Sequence, residues 1–377
     1  MSSDPRPAEA GPSLTIVPNA HKVDAASSAP TSPAFRAARR LRNWVRPPGD
    51  VETGERGWRL PSKGAVKRGA IAVWMVGPMI TLPIAVGYAV RHRRIDPKAA
   101  ALFGTGYVVT GLGITAGYHR LLTHKSYRTT SSKLEAVVLM AGAIAGQGPP
   151  SHWAATHTTH HSHTDKPGDP HSPHVDFDET WTGTLKGFVH AQVGWLYEDP
   201  SDITIKHTER IRANSATVRW IDDHYFPILG AGLLAPGLVA GWQGIVWGGV
   251  VRMLLVNHAT FAVNSICHMY GDRRFETDDE SRNNTFIALI TNGEGNHNNH
   301  HAFPRMAYHG IGWKEYDLTA IVLRLAERAG LITDVVKPTP EQIAERVDRL
   351  KRSAERRAER EAEEHGTAVA TRSEAAD

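Results

Sequence analysis

Cysteine is almost absent from this chain. Cys267 stands alone among 377 residues, which excludes an internal disulfide framework or a cysteine-held cluster and suits a reducing or membrane-embedded setting. Zinc-finger spacing, aromatic stacking motifs and a phosphate loop are also missing, so nucleic acid is not an expected partner. Charge is mild, +4 net with a pI near 9.1. Much of the basic excess sits in RAARRLRNWVR (36–46), beside an apolar region, where an anionic lipid surface is the expected partner. Residues 1–55 are rich in Ala, Pro and Ser, without apolar periodicity or the apolar core of a secretory leader. They are expected to form a disordered extension.

The mean hydropathy of −0.34 hides an apolar middle between polar ends. GAIAVWMVGPMITLPIAVGYAV (69–90) is long enough as a helix, at about 33 Å, to cross a hydrocarbon core of about 30 Å. Pro78 and Pro83 are tolerable among packed membrane helices. After the charged link RHRRIDPK, a Gly-rich second span covers about 100–118. A second apolar block, Tyr225 to Cys267, is expected to turn at GWQG (241–244), giving spans of about 225–240 and 245–266. Arg252, Asn257 and His258 lie in its second arm and should face protein or a cavity, not lipid. LEAVVLMAGAIAG (134–146) is too short to span and reads as an interfacial or buried helix. The expectation is an all-α membrane domain over 56–335, then a charged tail, 336–377, helical or disordered. Basic residues flank the first hairpin on both sides; the amino terminus is placed inside.

Histidine is abundant, at 21 residues. THTTHHSHTDKPGDPHSPH (156–174) holds six, and its HxxHH spacing recurs in NHNNHH (296–301). Positions i, i+3 and i+4 share one helical face. In HRLLTH (119–124) the i, i+5 spacing sets two rings about 140° apart on an α-helix, so they bracket a site or need an unwound end. Each hairpin returns the chain to the side where it started. His119, His124, His157, His160, His161, His268, His297, His300 and His301 therefore converge on one membrane face. Nine imidazoles exceed one coordination sphere and suit two metals with four or five nitrogens each. With no carboxylate in the set, Mg²⁺ and Ca²⁺ are disfavoured, and Fe, Zn, Cu and Ni remain. His21, His92, His207, His309 and His365 are read as ordinary side chains.

GYHRLLTHKSY (117–127), WAATHTTHHSHTDKPGDPHS (153–172), VGWL (193–196), NSICHMYG (264–271) and GEGNHNNHHAFP (293–304) together resemble the membrane-bound fatty acyl desaturases of the stearoyl-CoA Δ9 type, in a bacterial form. The resemblance runs from about Trp74 to Trp313. It implies four transmembrane helices in two hairpins under a cytosolic helical cap that holds a di-iron (Fe²⁺) site, in a multi-pass protein of a bacterial inner membrane. It assigns the nine histidines as metal ligands, with Asn264 reaching one metal through water. Asp165, Asp169 and His171 become supports of the ligands; Gln147, Trp153, Thr260 and Phe261 become substrate-binding or tunnel residues. Where vertebrate members carry an Arg-Asp pair that contacts CoA, this chain has Ala155-Thr156.

The implied reaction is O₂-dependent insertion of a cis double bond into a long-chain acyl-CoA. No haem-binding His-Pro-Gly-Gly segment, dinucleotide fingerprint or cysteine cluster occurs in the chain, so electrons are expected from a separate ferredoxin, rubredoxin-like protein or cytochrome b5, fed by an NAD(P)H reductase. The alternatives are an acyl-lipid desaturase, a di-iron hydroxylase, or a membrane metal transporter. The last usually binds near the bilayer midplane, whereas these histidines lie at helix ends and beyond.

Overall fold

Polar caps punctuate the chain into helices. The computed structural model describes residues 79–89, 91–92, 95–353 and 355–356. Helix α1 is Met79–Ala89; the first half of the expected span 69–90, the extension 1–55 and the tail beyond 356 lie outside the described residues. Helix α2, Pro97–Thr123, starts on an Asp96 cap with Pro97 in its first turn. Strand β1 (Arg128–Thr129) follows, then α3 (Ser132–Ile144), α4 (Pro150–His163), α5 (Trp181–Gln192), α6 (Asp202–Asn214) and α7 (Ala216–Asp223). Ser131, Thr180, Ser201 and Ser215 each accept a first-turn N–H at the start of α3, α5, α6 and α7. Helices α8 (Tyr225–Leu234) and α9 (Pro236–His268) form the second apolar block. Short helices α10 (Thr285–Ile290) and α11 (His297–Ala302) lead to α12 (Leu318–Arg328) and β2 (Ile332–Thr333). The fold is mainly helical; β1 and β2 make one short antiparallel ladder. Residues 340–353 are helical.

Among the described residues two helices, α2 and α9, are long and apolar enough to cross a membrane, where four spans were expected. Pro236 has no N–H to continue the helical ladder, so α8 stops short, although Ala235 keeps helical angles. The chain reverses inside α9 at Ala240 (φ −127°, ψ 22°) and Gly241 (φ 56°, ψ −146°). The latter conformation is open essentially to glycine alone. The returning arm passes so close that a side chain on Gly249 would strike the Leu233 carbonyl. The expected turn at 241–244 is therefore where the chain turns.

Helices α2 and α3 meet just as tightly. A Cβ on Gly113 would lie 2.2 Å from the Gly142 nitrogen. Around this contact Ile114, Tyr118, Leu139, Val218, Ile221 and Met253 build the principal core. Arg252, 1% exposed, donates to the Thr110 hydroxyl and to the Ile144 carbonyl at the end of α3. It and the equally buried Asn257 face protein, as their depth requires.

Candidate metal centre

The HRLLTH problem is solved by the backbone. From Gly113 to Thr123 helix α2 widens into a π-helix, and the His124 N–H bonds the His119 carbonyl five residues back at 3.0 Å. Five-residue spacing then stacks two side chains on one face, and the His119 and His124 rings stand 4.8 Å apart.

The nine histidines converge as a set of five (His119, His124, His157, His161, His300) and a set of four (His160, His268, His297, His301). Within each set one nitrogen per residue lies within 4.8 Å of all the others. Each HxxHH run is split between the sets. Helix α4 sends its i, i+4 pair, His157 and His161, to the five and His160 to the four; α11 sends His297 and His301 to the four and His300 to the five.

The spacing inside the sets is that of ligands around a cation. In the larger set Nε2–Nε2 distances are 3.1 Å for His119–His300, His124–His157 and His157–His161, and 2.9 Å for His161–His300. In the smaller they are 3.0 Å for His268–His297 and 3.1 Å for His297–His301. Nitrogens about 2.1 Å from one ion and 90° apart stand about 3.0 Å from each other. Hydrogen bonds cannot explain the pattern. His268 and His301 each present Nδ1 to a carboxylate, which in the neutral ring assigns the proton there and leaves Nε2 as a lone pair. Both lone pairs aim at His297 Nε2, which has at most one proton to give. The donor set fits a pair of imidazole-bound metal ions.

Carboxylates orient the ligands. Asp169 accepts from His160 at 3.0 Å, Asp165 from His268 at 2.8 Å, and Asp279 from His301 at 2.9 Å. Glu294 pairs with His119 Nδ1. Burial opposes ionisation of all four, yet these contacts hold each well below the usual carboxylate range. Burial also pushes His157, His161, His297 and His300 well below their ordinary value, and His301 down to about 4 against the pull of Asp279. Those five rings are held neutral, the form that ligates. His171, pushed down to about 3 by burial, packs on His160 with centroids 4.5 Å apart.

Of the other residues singled out in the sequence, Trp153 stacks on His157 at 5.1 Å and donates to Gln147, whose amide donates to Thr260. These three form one bridge from α4 to α9. Phe261 does not join it; buried, it packs edge-on against Trp195. Asn264 is half-buried, four residues before His268. A narrow cleft beside the bridge is lined by Tyr107, Gly111, Thr115, Val256 and Thr260.

Three residues escaped the sequence reading. Two are the acids Glu294 and Asp279. His309, set aside as ordinary, is fully buried, with its ring 4.6 Å from His300 and Nδ1 3.6 Å from Glu294. GEG directly before the third histidine run was the one available signal for Glu294. His92 is exposed and His207 half-buried on α6, while His21 and His365 lie outside the described residues. The asparagines between the ligands are pins. Asn298 accepts from the Arg274 and Phe275 N–H groups; Asn296 donates to the Gly293 and Tyr316 carbonyls; Asn299 donates to the His309 carbonyl and Glu315.

Residues 98–315 match the family model for fatty acid desaturases. An sn-1 stearoyl-lipid 9-desaturase of Anabaena variabilis is 38% identical over 231 residues, 61% of this chain and 80% of the relative. A hex-5-enoyl-(acyl-carrier protein) acetylenase of Moorena producens is 34% identical over 247 residues, 63% of this chain and 76% of the relative. A probable acyl-CoA desaturase of Schizosaccharomyces pombe is 36% identical over 260 residues, 66% of this chain and 51% of the relative.

Proposed function

Because this chain belongs to the fatty acid desaturase family and is an oxidoreductase, we propose that it inserts a cis double bond, at Δ9, into a saturated long-chain acyl-CoA, using two iron ions. The balance is one O₂, two electrons and two protons consumed, two hydrogens removed from adjacent methylenes, and two waters released. The observation that carries this reading is the paired convergence of five and four imidazole nitrogens, a neutral donor set that suits iron.

The nine histidines would hold the irons, with Asn264 reaching one through water. When bound, iron supplies the O₂ activation needed to take hydrogen from an unactivated methylene, which side chains cannot do. The protein's own work is placement. Trp153, Gln147 and Thr260 form a rigid wall against which an acyl chain can bend, and Phe261 lies further along the same helix. Asp165, Asp169, Asp279 and Glu294 hold the rings in one tautomer and one orientation, and His171 packs behind His160.

The reversal at Gly241 and outward apolar side chains such as Leu238 and Trp242 support a spanning hairpin; four spans in two such hairpins would set the histidines facing the cytoplasm of a bacterial inner membrane. Electrons would come from a ferredoxin, a rubredoxin-like protein or cytochrome b5 with its NAD(P)H reductase. A second reading keeps the site and changes the carrier. Likeness to a stearoyl-lipid desaturase over 80% of its length favours an acyl chain presented on a membrane lipid.

Expression in a desaturase-deficient host, followed by gas chromatography and mass spectrometry of the acyl chains, tests the reaction. New cis-Δ9 alkenes are expected; hydroxylated chains without new alkenes would refute it. Supplying stearoyl-CoA or stearoyl lipid to purified protein separates the two carriers.

A further inference from the structure

The two histidine sets differ in what stands behind them. In the set of four, three imidazoles hand a proton to a carboxylate: His160 to Asp169, His268 to Asp165 and His301 to Asp279. Among the described residues no arginine or lysine lies within ion-pair distance of these three acids. Their remaining partners are neutral. Asp165 accepts from the Ser172 hydroxyl and the Glu280 N–H. Asp169 accepts from the Asp165 and His171 N–H groups, with His171 Nδ1 at 3.8 Å. Asp279 accepts from the Thr277 hydroxyl and the Ser281 N–H. In the set of five only His119 meets a carboxylate, Glu294, and Glu294 shares the Arg120 guanidinium with Asp317. Three uncompensated negative charges therefore back one site and a single net negative charge backs the other.

We propose that the two metal sites are unequal and fill in order: the four-histidine site, backed by Asp165, Asp169 and Asp279, takes the first divalent ion, and the five-histidine site takes the second. This rests on the two-ion reading above. A hydrogen-bonded carboxylate raises the basicity of its imidazole and adds charge a few ångströms from the ion; removing one such partner typically lowers affinity about 10–100-fold. The fifth nitrogen of the other site opposes this order. It replaces a water with a neutral ligand, whereas the surplus carboxylates bring full charges into a buried, low-dielectric setting. Charge decides the order. Asp279 and Glu294 are positioning residues here, one for each site.

The test is stepwise loading of the full chain in lipid nanodiscs, stripped with chelator without oxygen and titrated with ⁵⁷Fe²⁺. Mössbauer spectra are expected to show one quadrupole doublet up to one equivalent and a second, distinct doublet between one and two. Asp279→Asn should lower the first-step affinity about 10–100-fold, and Glu294→Gln only the second. Two doublets rising together from the first addition would overturn the inference, as would Asp279→Asn weakening only the second step. Should a variant fail to fold, the wild-type titration decides alone. Saturation below two ions per chain sinks the two-ion function itself, an outcome distinct from two ions binding without order.

Discussion

Replacing Arg120 with methionine keeps the aliphatic stem and removes one buried guanidinium. That group is fully enclosed at the end of α2. It donates to Asp317 through both nitrogens at 3.1 and 3.2 Å, to Glu294 at 3.0 Å and to the Ala307 carbonyl at 2.8 Å. Breaking a buried pair by deleting one partner costs about 3–5 kcal/mol, because the other charge stays behind without compensation. Here two acids are left. Asp317 keeps backbone donors from His309, Gly310 and Ala320, and Glu294 keeps His119, which places the loss near the lower end, about 3 kcal/mol. For a domain of this size that is about 6–12 °C in melting temperature. The assay is tryptophan fluorescence of detergent-solubilised protein, at one scan rate because such unfolding is commonly irreversible. Asp317→Asn in the same background should recover part of the loss, a coupling of about 1–3 kcal/mol. Arg120→Met melting within about 1 °C of the wild type, or losses that simply add in the double variant, would refute the reasoning.

Three other expectations concern the site and its scaffold. Gly113→Val should abolish monodisperse protein, since its Cβ would sit 2.2–2.3 Å from backbone atoms of Ala141 and Gly142. Gly230→Ala, with nothing within 4 Å of the added carbon, should be neutral or stabilising by up to about 1 kcal/mol. Gln147→Ala strands the Trp153 indole N–H, at a cost of about 1–3 kcal/mol. It should lower turnover roughly tenfold or more with metal content unchanged; an unaltered rate and product profile would remove the bridge from the mechanism.

The nine histidines were legible because their spacing is local and each hairpin is written in an apolar run. The turn at Gly241 was legible for the same reason. What stayed hidden depends on pairings far apart in the chain. The π-helical end of α2 is closed by backbone bonds that no side-chain pattern announces, so HRLLTH offered two geometries and no way to choose. Asp279 looks like one acid in a run of acids, TDDE, until a helix 22 residues on delivers His301 to it. His309 carries no spacing signal at all. It lies behind His300 because Glu315 accepts from the Ile311 and Gly312 N–H groups, folding the following loop back against Asn299.

The asparagines of NHNNHH follow from the split between the sets. Because α4 and α11 each serve both sites, a shift of either helix would spoil both sites at once, so both must be rigid. Helix α4 has 14 residues and packs along its length. Helix α11 has six, far fewer than a helix needs to hold itself in water. Its rigidity has to come from outside. Asn298 ties it to the loop at Arg274–Phe275, Asn299 to Asn283 and His309, and Asn296 to Tyr316. Each of the six positions 296–301 is therefore either a ligand or a pin.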